Sequence, residues 1–401
     1  MTVSGELPNE ITMLLLRPTW VEVDLDAIEH NVKTVKKWLG DVKLIGVLKG
    51  DACGFGTEEC GAAMEAAGAN MLAVANPFEV KVLRRRGIKC PILLFASYLP
   101  ESAPEIVTLG AIPTIVDFES AQALADAAKK LLSEPLDIFI KLDTGLGRLG
   151  VPFEQGVSLV KFVSENPYLR LIGLYSHAGD SPDERAKVQY QRFQSVLSEL
   201  YALGVDVPIR VIASTPHVLR HPHMWMNAVD PGRLLFGIKQ PPDAPVPEGH
   251  IRSALRGLRT KIIQVKNVTA GDPPQYSHGR TNKTPRYGVL PFGWADVFLP
   301  SVYENSGALV RGVKVRFLKS FSAEHSVIDL TEVPDARVGD TVTIIGEDGE
   351  SFIDEAQLAR EAEILVSELT RRFHRHLCYI YFRQDKPVKV KTVMGNTMAG
   401  E

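Results

Sequence analysis

The sequence predicts an α/β protein: a (β/α)8 TIM-type barrel followed by a β-rich C-terminal domain. Eight short apolar runs recur over the first 240 residues, stretches with helical spacing separate them, and strand-like runs alternate with turns beyond about residue 252. Apolar strands that alternate with helices are typical of a parallel sheet covered by helices, and eight such units can close a barrel. A chain of 401 residues is also long enough for two domains.

The eight predicted strands are mostly apolar runs at residues 44–48, 71–75, 92–96, 112–116, 136–142, 171–175, 209–213 and 234–238. The stretches between them, such as 57–67, 119–132 and 190–203, have the apolar spacing of amphipathic helices. In a barrel of this kind the catalytic groups gather at the C-terminal ends of the strands. We therefore expect the functional residues at those ends.

Beyond the barrel, short runs predict strands at residues 260–268, 287–291, 308–318, 326–331 and 341–345, and one helix near 354–372. The run 20–25 alternates as a strand and either joins this second domain or leads into the barrel. The tail from Lys386 onward is expected to be irregular. These patterns predict a barrel at residues 17–252, a β-rich domain at 253–385, and terminal extensions at 1–16 and 386–401.

The composition is that of an ordinary globular protein, with 45% hydrophobic and 23% charged residues. A net charge of −3 without a basic stripe gives no basis for nucleic-acid binding. The four cysteines have neither metal nor redox spacing, so we expect reduced thiols, no metal site and a cytoplasmic protein. We expect neither a signal peptide nor a membrane segment, because the first ten residues are acidic and no apolar stretch is long enough.

One stretch near the N-terminus indicates covalent chemistry. Lys49 follows the apolar run 44–48 and precedes Gly50, Gly54 and Gly56, which allow the backbone to approach a ligand closely. A lysine at the end of a buried strand suits Schiff-base chemistry, although such a lysine is more often simply solvated. The remaining strand ends decide between these two interpretations.

Those strand ends supply further polar groups. They present residues 141–148, His177, Ser214 and Thr215, while residues 230–233 lie just before the eighth predicted strand. The loops after strands seven and eight are a favoured phosphate site in such barrels. One rim that carries a lysine, a histidine, an aspartate and a phosphate cradle predicts pyridoxal phosphate as the cofactor.

From about Arg17 to Tyr381 the chain resembles the alanine racemases, which are pyridoxal-phosphate enzymes of fold type III. The segments that carry the resemblance are RPTWVEVDLDAIEHNV at the start, VLKGDACGFG around the lysine, KLDTGLGRLG at residues 141–150, GLYSHAGDSPD, DPGRLLFG, VGDTVTIIG and YIYF. DPGRLLFG is assigned to the last barrel strand, and the last two segments to the C-terminal domain. A long co-linear match of this kind is more specific than any one motif.

The resemblance implies a role for each candidate residue. Lys49 forms the Schiff base with the cofactor and acts as one of two proton-transferring bases. Arg148 holds the substrate carboxylate or the phenolic oxygen of the cofactor, with Lys141, carbamylated or not, beside it. The other cofactor-binding positions are Cys53, His177, Ser214, Thr215, Asp230, Gly232, Arg233 and Tyr381. The resemblance also implies a homodimer in which the C-terminal domain of one subunit completes the active site of the other.

The chain departs from the family at the site itself. Cys53 replaces a phosphate-binding tyrosine, Asp230 replaces an arginine at the pyridine nitrogen, and Ala323-Glu324 replaces the Met-Asp of the loop supplied by the partner. The second base, a tyrosine before Gly-Arg-Thr in the family, is replaced by His278, with Tyr276 two residues earlier. Either His278 or Tyr276 can serve as the second base.

Asp230 is the most informative departure. A carboxylate that faces the pyridine nitrogen stabilises its protonated form and makes the ring a stronger electron sink. The alternative is that Asp230 only pairs with His177 or Arg233. Between these two, the position within the family favours the pyridine role.

We therefore expect a racemase or epimerase that acts on a free amino acid, and not on alanine alone, by two-base α-proton transfer through an external aldimine. Ala323 leaves room for a larger side chain than alanine. The alternatives are a lyase, an aldolase or an aminotransferase of the same fold, and a pyridoxal-phosphate carrier without turnover, which the long β-rich domain argues against. His376-Leu377-Cys378 has the His-x-Cys spacing of the metal-dependent aldolase branch.

Overall fold

In a computed structural model of the chain, the structure describes residues 7–95, 98–179, 183–239, 244–247, 250–267, 286–297, 306–373 and 376–398. The chain divides into two compact units, Ala27–Arg252 and the pair of segments Met1–Asp26 and Ser253–Glu401. Within the described ranges, no helix is long and apolar enough to cross a membrane. The four cysteines all lie in these ranges and form no disulfide.

The first unit is a closed barrel of eight parallel strands. With strands numbered along the chain, they are β2 (Lys43–Val47), β3 (Met71–Val74), β4 (Ile92–Leu94), β5 (Ile112–Ile115), β6 (Leu136–Asp143), β8 (Leu169–Tyr175), β9 (Ile209–Ser214) and β10 (Ala228–Asp230). Pairing of β10 with β2 and of β5 with β6 completes the ring, and β7 (Val151–Pro152) lies beside β6. The predicted barrel is confirmed.

The eighth strand lies at Ala228–Asp230, so the prediction of a strand at residues 234–238, which overlaps the end of DPGRLLFG, is wrong. Gly232–Leu235 forms a short helix instead, and Gly237 follows it with a φ of 65°. A short apolar run that is buried as a helix has the same hydrophobic pattern as a buried strand, which explains the error. The correction places Asp230 at the C-terminal end of a barrel strand.

The barrel interior is filled by side chains from almost every strand: Ile45, Val47, Met71, Ala73, Leu93, Phe139, Tyr175, Val211 and Ala228. Helices follow the strands: α2 (Leu25–Leu39), α3 (Lys49–Gly54), α4 (Thr57–Ala66), α5 (Pro77–Arg85), α6 (Ala103–Val107), α7 (Phe118–Leu131), α8 (Phe153–Ser164), α9 (Asp183–Ala202), α10 (Thr215–Arg220) and α11 (Gly232–Leu235). Two of them begin with capping boxes, at Asn76 and Asp117, whose side chains satisfy the first backbone amides. Such local signals fix where these helices start.

The second unit contains one large, mainly antiparallel sheet. Its strands are β1 (Thr19–Asp24), β11 (Leu255–Lys261), β12 (Gln264–Asn267), β13 (Arg286–Leu290), β14 (Gly307–Val310), β15 (Val313–Phe321), β16 (Ser326–Asp329), β17 (Thr341–Asp348), β18 (Ser351–Ile353), β19 (Cys378–Arg383), β20 (Lys386–Thr392) and β21 (Gly395–Met398). Their order is β12-β13-β16-β15-β14-β17-β11-β1-β19-β20-β21, with β18 beside β17. The run 20–25 therefore joins this sheet, and two helices, α12 (Glu355–Glu361) and α13 (Val366–Arg371), occupy the place of the single predicted helix.

Described residues near both termini form helices and strands in this unit. The tail expected to be irregular forms β20 and β21, which extend the sheet from β19. Helix α1 (Asn9–Leu14) packs on the same edge through an apolar cluster of Ile11, Leu15, Trp20, Cys378, Ile380, Phe382 and Val390. Alternating apolar residues in β20 and the positive φ of 131° at Gly395 allow the extra hairpin.

Candidate active site

The C-terminal ends of the barrel strands gather most of the predicted site residues. Lys49 follows β2, Lys141 lies near the end of β6, and His177 follows β8 by two residues. Asp230 ends β10, and the charges of Lys49 and Lys141 both influence its pKa. These groups therefore share one rim.

Lys49 opens an unusual left-handed helical turn. Gly50, Asp51, Ala52 and Cys53 have φ values of 71°, 51°, 55° and 59°. Non-glycine residues adopt this conformation at a cost of about 1–2 kcal/mol each. Strained backbone of this kind is concentrated at functional sites, where the surrounding structure holds it.

Side chains around the turn hold it in place. The Asp51 amide donates a hydrogen bond to Glu79 Oε1 at 3.0 Å. Asp51 Oδ1 accepts from both the backbone amide and the hydroxyl of Thr57, at 2.8 and 3.0 Å, at the start of α4. Cys53, which the resemblance assigns to phosphate binding, is buried in this turn, with only 3% of the residue exposed.

Lys49 and Lys141 each lie over an aromatic ring. The Lys49 ammonium is 5.8 Å from the centre of the Phe95 ring, and the Lys141 ammonium is 4.9 Å from the centre of the Tyr175 ring. Lys141 is only 6% exposed, and burial, followed by the charge of Arg148, lowers its pKa to about 8. The neutral form of Lys141 is therefore more accessible near neutral pH than that of an ordinary lysine.

The loop after β6 presents Arg148. Asp143 Oδ1 accepts hydrogen bonds from the backbone amides of Gly145, Leu146 and Gly147, at 2.9, 2.9 and 3.1 Å. The aspartate of the KLDTGLGR segment thus folds the loop around its own carboxylate. Arg148 is exposed at the end of this loop, and its charge influences the pKa of Lys141.

Gly150 closes the same loop and cannot be replaced easily. A Cβ atom at this position would lie 2.8 Å from the Asp143 amide nitrogen and 2.9 Å from the Lys141 carbonyl oxygen. Its φ of 122° is also one that side chains rarely adopt. The last glycine of the segment is therefore needed for backbone packing rather than for ligand contact.

The pKa values of His177 and Asp230 are shifted in opposite directions. Burial, with the charges of Lys49 and Lys141, lowers the pKa of His177 to about 3, so its ring is neutral. Burial raises the pKa of Asp230 to about 7 against the opposing charges of the two lysines.

One carboxylate oxygen of Asp230 is an orphan. Oδ1 is buried and, within the described part of the chain, has no hydrogen-bond partner. Buried carboxylate oxygens are normally satisfied, and an unsatisfied one indicates a missing partner. The site can therefore accommodate a hydrogen-bond donor that points at Asp230.

Small and hydroxyl-bearing residues lie beside Asp230. Ser214 ends β9 and Thr215 begins α10, and both are buried at 8% and 2% exposure. Gly232 and Arg233 begin α11 on the next strand end. Hydroxyls and backbone amides at such strand ends are suited to phosphate oxygens.

Three rim residues were not predicted: Tyr175, Phe95 and His217. Tyr175 is buried under Lys141 and its hydroxyl is 3.2 Å from Thr114 Oγ1. His217 Nδ1 lies 3.4 Å from the Ser214 hydroxyl, and its Nε2 lies 3.1 Å from the Gly179 carbonyl oxygen. Their position could have identified Tyr175 and Phe95, because aromatic residues at the ends of predicted strands lie at the same rim as the polar residues.

The remaining candidates belong to the second unit. Tyr381 lies in β19 and is fully buried. Ala323 accepts a hydrogen bond from the Ala295 amide at 3.0 Å, and Glu324 forms a 3.0 Å ion pair with Arg17. His278 and Tyr276, the candidates for the second base, lie outside the described residues.

The His-x-Cys pair has a structural environment of its own. His376 Nε2 lies 2.7 Å from Asp296 Oδ1, and Arg17 binds both oxygens of the same carboxylate at 2.6 and 2.8 Å. Asp296 is fully buried. In the ranges that the structure describes, no group of three or more His, Cys, Asp or Glu side chains could hold a metal ion.

Comparisons with known proteins agree with this geometry. Residues 23–240 match the family domain described as alanine racemase, N-terminal domain, and residues 256–381 match alanine racemase, C-terminal domain. The alanine racemase of Halothermothrix orenii is 33% identical over 88% of this chain and 94% of the relative. Alanine racemase 1 of Caldanaerobacter subterraneus subsp. tengcongensis is 32% identical over 92% of this chain and 95% of the relative. The crystal structure of alanine racemase from Bacillus anthracis with bound L-Ala-P superposes with a TM-score of 0.86 at 28% identity, over 95% of this chain and 99% of that one.

Proposed function

The chain belongs to the alanine racemase family of pyridoxal-phosphate-dependent isomerases, and from this premise we propose that it racemises a free amino acid other than, or in addition to, alanine. For the mechanism, the observation that carries the proposal is the orphan oxygen of Asp230 at the barrel rim. At this position the family resemblance implies an arginine. A carboxylate in its place changes the electronics of the cofactor ring.

The rim residues fit pyridoxal phosphate. Lys49 provides an amine for covalent attachment, and the buried Asp230 oxygen provides an acceptor for a protonated ring nitrogen. The phosphate would be held at Ser214, Thr215, Gly232, Arg233 and, by resemblance, Cys53 and Tyr381. The neutral His177 would lie against the ring without adding a positive charge to it.

When bound, pyridoxal phosphate supplies an electron sink that stabilises the charge left on a substrate carbon when its proton is removed. The residues of the chain would do the rest. Lys49 moves the α-proton on one face of the substrate, and His278 or Tyr276 moves it on the other. Arg148 holds the substrate carboxylate, and Asp230 keeps a proton at the ring nitrogen.

The proposed substrate range rests on the loop around Ala323. A methionine is implied by resemblance at this position, and alanine is smaller by three heavy atoms, which widens the substrate pocket. The Ala323 carbonyl accepts a hydrogen bond from the Ala295 amide, and the Glu324 carboxylate forms an ion pair with Arg17. These contacts hold the loop in place. In a homodimer, each subunit would lend this loop to the active site of its partner.

A second candidate activity follows from the same carboxylate. A protonated ring stabilises a carbanion for longer, and such a carbanion is also open to elimination, retro-aldol cleavage or amino-group transfer. A lyase, aldolase or aminotransferase is therefore the competing proposal.

One experiment separates these proposals. The purified holoenzyme is incubated in D2O with separate L- and D-amino acids, and α-proton exchange, inversion and keto-acid release are followed together. We expect exchange and inversion with several side chains larger than methyl, and little keto acid, while Lys49→Ala is inactive. Turnover of alanine alone would refute the broader substrate range, and keto-acid release that outpaces inversion would favour the second candidate.

A further inference from the structure

A large cavity lies in the second unit on the face of the sheet that does not carry Tyr381. Trp20 is paired with Cys378, and Tyr381 is three residues further along the same strand, so its side chain points to the opposite face. Trp20 is also paired with Arg259 of β11, which places Arg259 on the Trp20 face. The cavity on this face has a volume of about 1080 Å³.

Two cationic and two hydroxyl side chains form the floor of the cavity. Arg259 is paired with Thr343, and Lys261 is paired with Thr341, in the antiparallel register of β11 and β17. Residues two apart in a strand face the same side, so all four side chains project from one patch of the sheet. The Arg259 guanidinium donates to the Thr343 hydroxyl at 2.5 Å, which leaves the hydroxyl hydrogen for another acceptor.

Arg259 is a buried donor. It is only 6% exposed and lines the cavity. Its Nε lies 3.1 Å from Glu22 Oε1, which balances its charge, and its second terminal nitrogen has further N–H groups. Lys261 donates to a neutral acceptor, the Gly339 carbonyl oxygen, at 3.3 Å.

Two more arginines line the walls. Arg311 binds both oxygens of Asp340, at 2.8 and 3.2 Å, and so neutralises it. Arg337 lies 3.7 Å from the same carboxylate and its side chain is 82% exposed, so it keeps most of its hydrogen-bonding capacity. Helix α1 contributes polar side chains, Asn9 and Thr12, on another part of the lining.

The lining is rich in donors and contains no aromatic side chain among its described residues, which are Leu7, Asn9, Thr12, Arg259, Lys261, Arg311, Arg337, Val338, Gly339, Asp340, Thr341, Thr343, Asp348 and Gly349. The lining carries four cationic side chains and two aspartates. When Glu22 behind the floor is included, the net charge is +1. Carboxylate and phosphate oxygens only accept hydrogen bonds and therefore match such a wall.

We propose that this cavity binds a small organic anion that carries carboxylate or phosphate groups. Lys261 and Arg337 supply the accessible charges, Thr341 and Thr343 supply hydroxyl donors, and Arg259 supports them from the floor. The volume of about 1080 Å³ is comparable to the upper end of the range for small-molecule sites, about 300–1,000 Å³. The site is independent of the proposed racemase chemistry.

The test uses the holoenzyme and isothermal titration calorimetry with two probes, inorganic pyrophosphate and citrate. We expect at least one of them to bind, and Lys261→Gln and Arg337→Gln each to weaken its Kd about tenfold. Arg372→Gln is the control, because Arg372 is an exposed arginine of the same unit that pairs with Glu368 one turn away and does not line the cavity. These variants leave the buried Arg259–Glu22 pair intact, so folding is preserved and circular dichroism verifies it.

Each outcome is decisive. Binding of pyrophosphate alone assigns the site to phosphate groups, and binding of citrate alone assigns it to carboxylates. If neither probe binds, or if the Kd is unchanged when Lys261 and Arg337 are both replaced, the cavity is not an anion site.

Discussion

Asp230 stands opposite Ser214 in the register of two neighbouring barrel strands, β10 and β9. Adjacent strands are about 4.8 Å apart, and strand positions are held more rigidly than loops. The carboxylate proposed to face the ring nitrogen and the hydroxyl proposed to face the phosphate are therefore set at a fixed separation by the sheet itself. The buried Oδ1 of Asp230, which has no hydrogen-bond partner in the described part of the chain, is the oxygen proposed to face the ring nitrogen.

The first prediction concerns the pH dependence of apoprotein stability. Burial raises the pKa of Asp230 from its ordinary value of 3.8 to about 7. The folded state thus prefers the protonated carboxyl, so the stability that this group contributes is present below about pH 4 and is lost as the pH rises through about 7. Urea unfolding should show that Asp230→Asn stabilises the apoprotein by roughly 2–3 kcal/mol more at pH 8 than at pH 5.

Asp126→Asn is the control for this measurement, because Asp126 is exposed and accepts one hydrogen bond from Gln122. Its effect should be the same at both pH values. An equal effect of Asp230→Asn at pH 5 and pH 8 would contradict the raised pKa.

The second prediction assigns the covalent lysine. Lys49 and Lys141 both lie at the rim, but only Lys49 begins the strained turn after β2. Reduction of the holoenzyme with borohydride and peptide mapping should therefore place the cofactor on Lys49. Lys49→Ala should lose the visible absorption of the bound cofactor, whereas Lys141→Ala should keep it. A label on Lys141 would overturn the assignment.

Much of the barrel could be predicted because its strands are short apolar runs at regular spacing. The rim residues Lys49, Lys141, His177 and Ser214 followed from those runs, since the topology of a parallel barrel fixes which end of each strand carries function. The eighth strand was misplaced because the more apolar run after Asp230 is a helix. Hydrophobicity marks burial, and it does not distinguish these two kinds of buried segment when they are short.

Other features lay beyond reach of the sequence. The left-handed turn includes Ala52 and Cys53, residue types that give no local signal for a positive φ. Burial raises the pKa of Asp230, and the charges of Lys49 and Lys141, which are remote in sequence, oppose that shift. Tertiary structure decides both.

The third prediction concerns sharing of active sites between subunits. Lys49 belongs to the barrel unit, and position 278 falls within the segment Ser253–Glu401, which belongs to the second unit. If a homodimer combines them across subunits, mixing inactive Lys49→Ala with inactive His278→Ala should restore up to about a quarter of the activity, because random exchange gives mixed dimers with one intact site. Size-exclusion chromatography with differently tagged chains verifies exchange.

Tyr276→Phe serves as the comparison in this experiment. If His278 is the second base, Tyr276→Phe should stay active. If Tyr276 is the second base, Tyr276→Phe should be inactive and should complement Lys49→Ala in place of His278→Ala. Absence of activity in every mixture, with exchange demonstrated, would argue against shared sites.

The fourth prediction concerns the loop that presents Arg148. Asp143 accepts three backbone hydrogen bonds within the loop, and Asp143→Ala leaves those amides without their acceptor. Loss of such charge-assisted bonds costs about 1–3 kcal/mol, so Arg148 should lose its fixed position and the KM for the amino acid should rise about tenfold or more. Asp143→Asn retains one acceptor oxygen and should recover part of the loss. Steady-state kinetics of these variants measure the change in KM. Asp126→Ala is the control and should match the parent enzyme. An unchanged KM in Asp143→Ala would show that the loop does not depend on the carboxylate.

The last prediction tests the electron-sink role of Asp230. If its carboxylate keeps a proton at the ring nitrogen, Asp230→Ala and Asp230→Asn should slow α-proton removal by about two to four powers of ten, or about 3–5 kcal/mol of transition-state stabilisation. The cofactor should stay bound, because its attachment to Lys49 and its phosphate contacts are separate from Asp230. Asp230→Arg restores the residue that the family resemblance implies, and it should lose amino-group transfer more than inversion, because an unprotonated ring stabilises the carbanion less. Asp137→Ala, which removes an ion pair with the exposed Arg170, should leave exchange in D2O unchanged. Near-full exchange in Asp230→Ala would make the carboxylate structural, and the proposal of a protonated ring would fail with it.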